Sequence, residues 1–150
     1  MTSAAEWTQT APLTALLRAA WLAYAAAVRQ ALAGAGFDDV PRNGGYVLSA
    51  VAASGVPLSA VIAQLGMSKQ AAGQLVDTLV LRGYLARSVD QADRRRLVVA
   101  ATGRGEAAAA VIRAAVMSLD AALAAQVGTE RVAHARTVLA ALASAGSPGA

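Results

Sequence analysis

Seven of the 13 basic side chains fall in one window, residues 69 to 104: Lys69, Arg82, Arg87, Arg94, Arg95, Arg96 and Arg104. Only Asp77, Asp90 and Asp93 oppose them there, so the window carries +4, the net charge of the whole chain. Residues 1–68 and 105–150 are each balanced, three basic against three acidic. Balanced flanks do not need a basic middle for solubility. Concentrated positive charge points first to the phosphates of nucleic acid, and second to an anionic membrane surface. The neutral neighbours suit the first partner. Gln70 and Gln74 carry amides of the kind that bond adenine edges in pairs, and Gly73 between them lets a helix backbone approach a base closely. Ser68 and Lys69 stand where a helix start holds phosphate. Arg94, Arg95 and Arg96 follow Asp90 and Asp93 at the tip of a turn, and arginine on such a tip enters a narrow minor groove.

Other chemistries lack their residues. The absence of cysteine excludes a disulfide scaffold, a thiolate zinc site and a thiol switch. His134 is the only histidine, and its place in a helical stretch reads as a surface or interface side chain. No carboxylate cluster converges, so no catalytic site, metal or cofactor is expected. Leu13 to Ala33 is the most apolar run, but Arg18 and Arg29 would make it a costly membrane span. Met1 to Thr10 holds Glu6 and no basic cluster, unlike a signal peptide. The expectation is a cytoplasmic protein that does not enter a membrane. With 150 residues, 57% hydrophobic and 15% charged, the chain makes one domain, or one with helical extensions, and needs no staples.

The elements that position these residues follow from periodicity. Leu13, Leu16, Leu17, Ala20, Trp21, Tyr24, Val28 and Leu32 recur at three and four, a long helix over 11–34 stopped at Gly34. Residues 36–44 read as a loop, 45–53 as a helix, and 58–65 as another behind Pro57. Ser68 caps a helix over 69–82 with Gly83 as its stop. Two helices joined by so short a turn make a helix-turn-helix. Residues 84–89 and 95–101 read as strands around turn residues 90–94, a β-hairpin. Thr102 caps a helix through Ala125, with Glu106 in its first turn. Gly128-Thr129-Glu130 breaks it before a last helix, 131–143. The fold class is mainly α with a small β-hairpin wing: a winged helix-turn-helix lobe at 45–102 plus a helical region at 11–34 and 103–145, about six helices.

On a helical wheel for 69–82, Ala72, Leu75, Val76 and Leu79 form the core face. Gln70, Gly73, Gln74 and Asp77 lie opposite, as on a helix that reads the major groove. The expected DNA contacts are Ser68, Lys69, Gln70, Gly73, Gln74, Arg87, Arg94, Arg95 and Arg96, with Asp93 orienting Arg95. The apolar stripes of the first and last two helices exceed what the small lobe can cover, which calls for a homodimer. Two-fold symmetry would set the reading helices about one DNA turn apart, near 34 Å. Trp21, Tyr24 and Tyr46 are the aromatic side chains that could line an effector pocket, although aromatics at helical spacing are more often plain core.

Leu65-Gly66-Met67-Ser68-Lys69-Gln70, Leu75-Val76-Asp77, Leu79, Arg82-Gly83-Tyr84-Leu85, Asp90, Asp93-Arg94-Arg95, and Thr102 three residues before Gly105 together resemble the MarR family of bacterial transcription regulators. The D-x-x-D-R-R wing followed by T-x-x-G is the most specific part, and the helix order extends the resemblance over roughly residues 12–145. It implies a homodimer with interleaved terminal helices. It implies binding to a palindromic double-stranded operator, usually as a repressor, and release by a small aromatic or lipophilic effector. By motif position it places recognition-helix contacts on Ser68, Lys69, Gln70, Gly73 and Gln74. The wing contacts fall on Arg94 and Arg95, with Asp93 as their orienting partner. The chain departs from the pattern at Gly73 and Gln74, where Ser or Thr followed by Arg is common. It departs again at Gln91, where Pro is frequent, and at Ala101, where Leu usually closes the strand. Those first two departures leave an alternative, a winged-helix protein-interaction module that does not read DNA sequence.

Overall fold

The computed structural model describes residues 10–53, 59, 62–63, 65–89 and 97–145. Pro12 flanks the first helix, α1 (Leu13–Gly34), and its carbonyl accepts from the Ala15 and Leu16 amides at 2.9 and 3.2 Å. Proline suits that place because the first-turn N–H it lacks would have no partner. The stop lies two residues beyond the expected one. Gly34 is still helical, and the left-handed residue is Gly36, φ 80°. The Gly36 amide donates to Ala33 and the Phe37 amide to Leu32, two bonds that close the last turn.

Helix α2 (Gly44–Ala52) follows. It starts one residue before the expected Gly45, because the Gly44 amide is taken by the Pro41 carbonyl at 2.8 Å. The helix expected over 58–65 lies mostly outside the described residues, although Ser59, Ile62 and Ala63 are helical. Helix α3 (Lys69–Leu81) is then capped by Ser68. It ends in the same two-bond motif as α1, Gly83 to Val80 at 3.0 Å and Tyr84 to Leu79 at 2.9 Å. Gly83 has φ 75°, a backbone region that costs a residue with a Cβ.

Strands β1 (Leu85–Val89) and β2 (Leu97–Ala101) pair antiparallel, Leu85 opposite Ala101 and Val89 opposite Leu97. β1 packs against α3 and β2 against α2. Leu32, Val47, Leu48, Leu75, Val76, Leu79, Tyr84, Leu85 and Ile112 supply the buried core. The face predicted for the reading helix, Ala72, Leu75, Val76 and Leu79, is the one buried.

Helix α4 (Gly103–Val127) begins in this core with Gly105, Ala108, Ala109 and Ile112. Among the described residues it is the one helix long and apolar enough to cross a membrane. Its first turns are instead buried within the lobe. Helix α5 (Thr129–Ala145) starts two residues earlier than the expected Arg131, since Gly128 alone, φ 93°, turns the chain. The described residues thus form five helices and one hairpin.

The chain divides into two compact units, residues 1–115 and 116–150. In the second, Arg136 pairs with Asp120 at 2.7 Å. No residue of α5 is buried, and Met117, Leu123, Val138, Leu139 and Leu142 are exposed.

Candidate nucleic-acid interface

The exposed outer face of α3 is built from the helix start. Ser68 has extended backbone, φ −64° and ψ 154°, and its Oγ accepts from the Ala71 amide at 3.2 Å. That bond satisfies one of the amides a helix start leaves free and aims the others outward. Ser68, Lys69, Gln70, Gly73, Gln74 and Asp77 are all exposed, in the arrangement the wheel predicts. A Cβ on Gly73 would meet nothing within 4 Å. Packing within the lobe therefore does not require glycine there, and the open backbone is a property of the outer face.

Lys69, Gly73 and Arg87 come together around one cavity of about 550 Å³, whose apolar wall includes Ile62, Val76 and Val99. Arg87, on β1, donates from Nη2 to Asp77 Oδ1 on α3. Asp93, Arg94, Arg95 and Arg96 lie outside the described residues. Trp21 is 54% exposed and Tyr46 49%, while Tyr24 is half-buried.

Just past the C-terminal end of α3 is a polar node that no sequence pattern marked. Tyr84 donates its hydroxyl proton to Asp39 Oδ1. Arg104 Nη2 lies 2.9 Å from the same oxygen and 3.1 Å from the Tyr84 hydroxyl. Arg82 donates to the Asp39 carbonyl. The Arg104 guanidinium sits 4.6 Å over the Tyr84 ring and 5.7 Å over Phe37. The hydrogen bond from Tyr84 holds the Asp39 carboxyl below its ordinary range against an opposing effect of burial, and Arg104 adds to the lowering. Burial, then Asp39, pushes the Tyr84 hydroxyl up. The hydrogen bond to Tyr84, then that to Asp39, holds the Arg104 guanidinium above its ordinary value, with burial opposing. Asp39, Tyr84 and Arg104 stand 45 and 20 residues apart along the chain, so no local pattern marks them as one cluster.

The T-x-x-G motif ties the hairpin to α4. The Thr102 amide donates to the Tyr84 carbonyl at 3.0 Å. Its hydroxyl lies 2.5 Å from the Gly83 carbonyl and 3.1 Å from that of Tyr84. The same oxygen accepts from the Gly105 amide at 3.1 Å. A Cβ on Gly105 would collide with the Tyr84 carbonyl oxygen. One residue thus caps a helix and anchors the strand start, and the other makes room for it. Among the described residues no group of three or more His, Cys, Asp or Glu could hold a metal ion.

Residues 38–96 match a family model described as MarR family. No curated protein matches the sequence significantly. Solved structures similar to the chain include a MepR–DNA complex from S. aureus, TM-score 0.71 and 18% identity over 89% of this chain and 98% of that one. CouR from Rhodococcus jostii, bound to p-coumaroyl-CoA, gives 0.66 and 27% over 89% and 93%. BpsR from Bordetella bronchiseptica, whose DNA binding is regulated by 6-hydroxynicotinic acid, gives 0.69 and 19% over 93% and 96%. At 18–19% identity MepR and BpsR testify to the fold alone. The family match spans the end of the α1–α2 loop, α2, α3 and β1, and it stops at Arg96, before β2 and the Thr102–Gly105 motif. Over residues 38–96 the chain is thus similar to the MarR family, and it shares the winged-helix fold of the MepR–DNA complex.

Proposed function

We propose that the chain acts as a homodimeric repressor, reading a palindromic operator with α3 in the major groove and the wing in the minor groove. The observation that carries this reading is the outer face of α3. Gln70, Gly73 and Gln74 stand exposed directly behind a Ser68-capped helix start, with Lys69 and Arg87 beside them. Amides supply base contacts, while the cations and free N–H groups hold phosphate. Asp93, Arg94, Arg95 and Arg96 complete the contact from the wing. The apolar side chains exposed on α1 and in the second unit, Trp21 and Leu22 among the first and Val138, Leu139 and Leu142 among the second, are the surface for the second copy. Release by a small aromatic or lipophilic effector is the finer part of the proposal. It is supported by CouR, bound to p-coumaroyl-CoA, and BpsR, regulated by 6-hydroxynicotinic acid, since both molecules carry an aromatic ring. A DNA-reading role places the protein in the cytoplasm and gives it no catalytic step.

Selection from random duplexes, followed by binding at two salt concentrations, tests the reading. The expected result is an inverted repeat of about 16–20 base pairs, bound with a steep salt dependence and lost in the double variant Arg94→Ala/Arg95→Ala. No enriched site, with variant and wild type equally weak on all duplexes, overturns it in favour of a protein-interaction module.

A further inference from the structure

The reading face carries one residue that does not suit a polyanion. Asp77 is the only acidic residue between Lys69 and Val89, and it stands on the same face as Gln70, Gly73 and Gln74, one turn further along α3. A bare carboxylate there would repel the phosphates that Lys69 and the helix start attract. The structure answers that charge from a second element, since Arg87 on β1 donates to Asp77 Oδ1. Both side chains are largely exposed, 41% for Arg87 and 61% for Asp77, and exposed pairs of this kind add little to stability. The consequence of the pair is therefore geometric. Arginine is a planar fork with five N–H donors. One donor fixed by Asp77 sets the direction of the plane and leaves the rest for a phosphate. Arg87 also lines the cavity with Val76 and Val99, so its apolar stem has a surface to lie along.

We propose that Asp77 is a specificity-determining positioning residue, which aims Arg87 at one phosphate and weakens binding to duplexes of unrelated sequence. Specificity is a difference between two affinities, and a repulsive group raises it by penalising the wrong partner. On a correctly seated duplex the carboxylate is occupied by Arg87. On a poorly seated one, Arg87 swings to the nearest phosphate and leaves Asp77 unpaired against the backbone. The inference rests on the DNA-reading role proposed above.

The test runs duplex selection on wild type, Asp77→Asn, Asp77→Glu and Arg87→Lys, then measures each on the recovered duplex and on a random-sequence duplex of equal length. Asp77→Asn is expected to bind the random duplex about three- to tenfold more tightly, with a salt slope steeper by about one. Its preference for the recovered site should fall by about tenfold or more. Asp77→Glu should restore most of that preference. Arg87→Lys keeps the charge and loses the fork, so it should lose preference while keeping its random-duplex affinity, a result that stands even if Asp77→Asn folds poorly. The inference is overturned if Asp77→Asn keeps the wild-type preference and slope, if it weakens both duplexes equally, or if Arg87→Lys discriminates like wild type. A wild type that enriches no site overturns the DNA-reading role itself, and this inference with it.

Discussion

Tyr84 shows how much one side chain decides. Its ring is fully buried, its backbone carbonyl accepts from Thr102, and its hydroxyl reaches Asp39 and Arg104. Replacing it with Phe keeps the ring and deletes the hydroxyl. Tyr84→Phe should lower stability by about 1 kcal/mol, at the low end for a hydrogen bond to a charged group because the Asp39 side chain is 41% exposed. The pH dependence identifies the cause. A hydroxyl raised above its ordinary 10.0 stabilises the fold below that pH and loses the contribution as pH rises through its folded value. A carboxyl held below 3.8 stabilises the fold above that pH and loses it as pH falls. Wild type should therefore lose stability above about pH 10, and Tyr84→Phe should be flat there. In acid the variant should lose less than wild type, because Asp39 keeps only its Arg104 partner. Urea unfolding across the pH range reads both limbs.

Between elements, the tightest fit is α4 against the start of the hairpin. The first turn of α4 passes so near the Tyr84 carbonyl that Gly105 has no space for a Cβ. Gly105→Ala must push α4 from β1 or distort the Thr102 cap, and overpacking of this kind costs about 1–3 kcal/mol. The expected outcome is an unfolding midpoint lowered accordingly, with DNA affinity falling further than the loss of folded protein explains, because the displaced hairpin carries Arg87 and the wing. If binding tracks the folded fraction alone, the seam serves stability and not wing placement. Gly73 is the contrasting case. Nothing lies within 4 Å of its missing Cβ, so the same residue type reflects packing at one position and an open outer face at the other.

For the molecule as a whole, the proposed dimer would rest on the exposed apolar side chains of the second unit. Val138 is 57% exposed and Leu142 49%, and α5 buries nothing. A helix that buries no residue draws little stability from its own chain, since packing of an apolar face supplies most of it. Val138→Glu with Leu142→Glu should convert a dimer to a monomer in light scattering and abolish tight operator binding, while unit 1 keeps its helix content. A double variant of unchanged mass would remove α5 from the dimer surface.

Much of this was legible along the chain because it is local. The 3.6-residue period marked the buried face of α3, Ser68 marked its start, and two strand-like runs around turn residues marked the hairpin. Each depends on residues a few positions apart, whose backbone preferences act wherever the segment is placed. The cap at Gly36 instead of Gly34, and the early starts of α2 and α5, were set by bonds between a helix end and its flanking loop that several residues could have made. What only the tertiary structure decided is non-local. Asp39, Tyr84 and Arg104 meet because the α1–α2 loop, the end of α3 and the start of α4 converge there. Asp77 finds Arg87 because β1 packs on α3. Gly105 is required because a carbonyl two elements earlier occupies the space its side chain would need. Spacing in sequence fixes neighbours within a turn or a strand pair. Charge partners and excluded volume across elements are fixed only when the core brings them within a few ångströms.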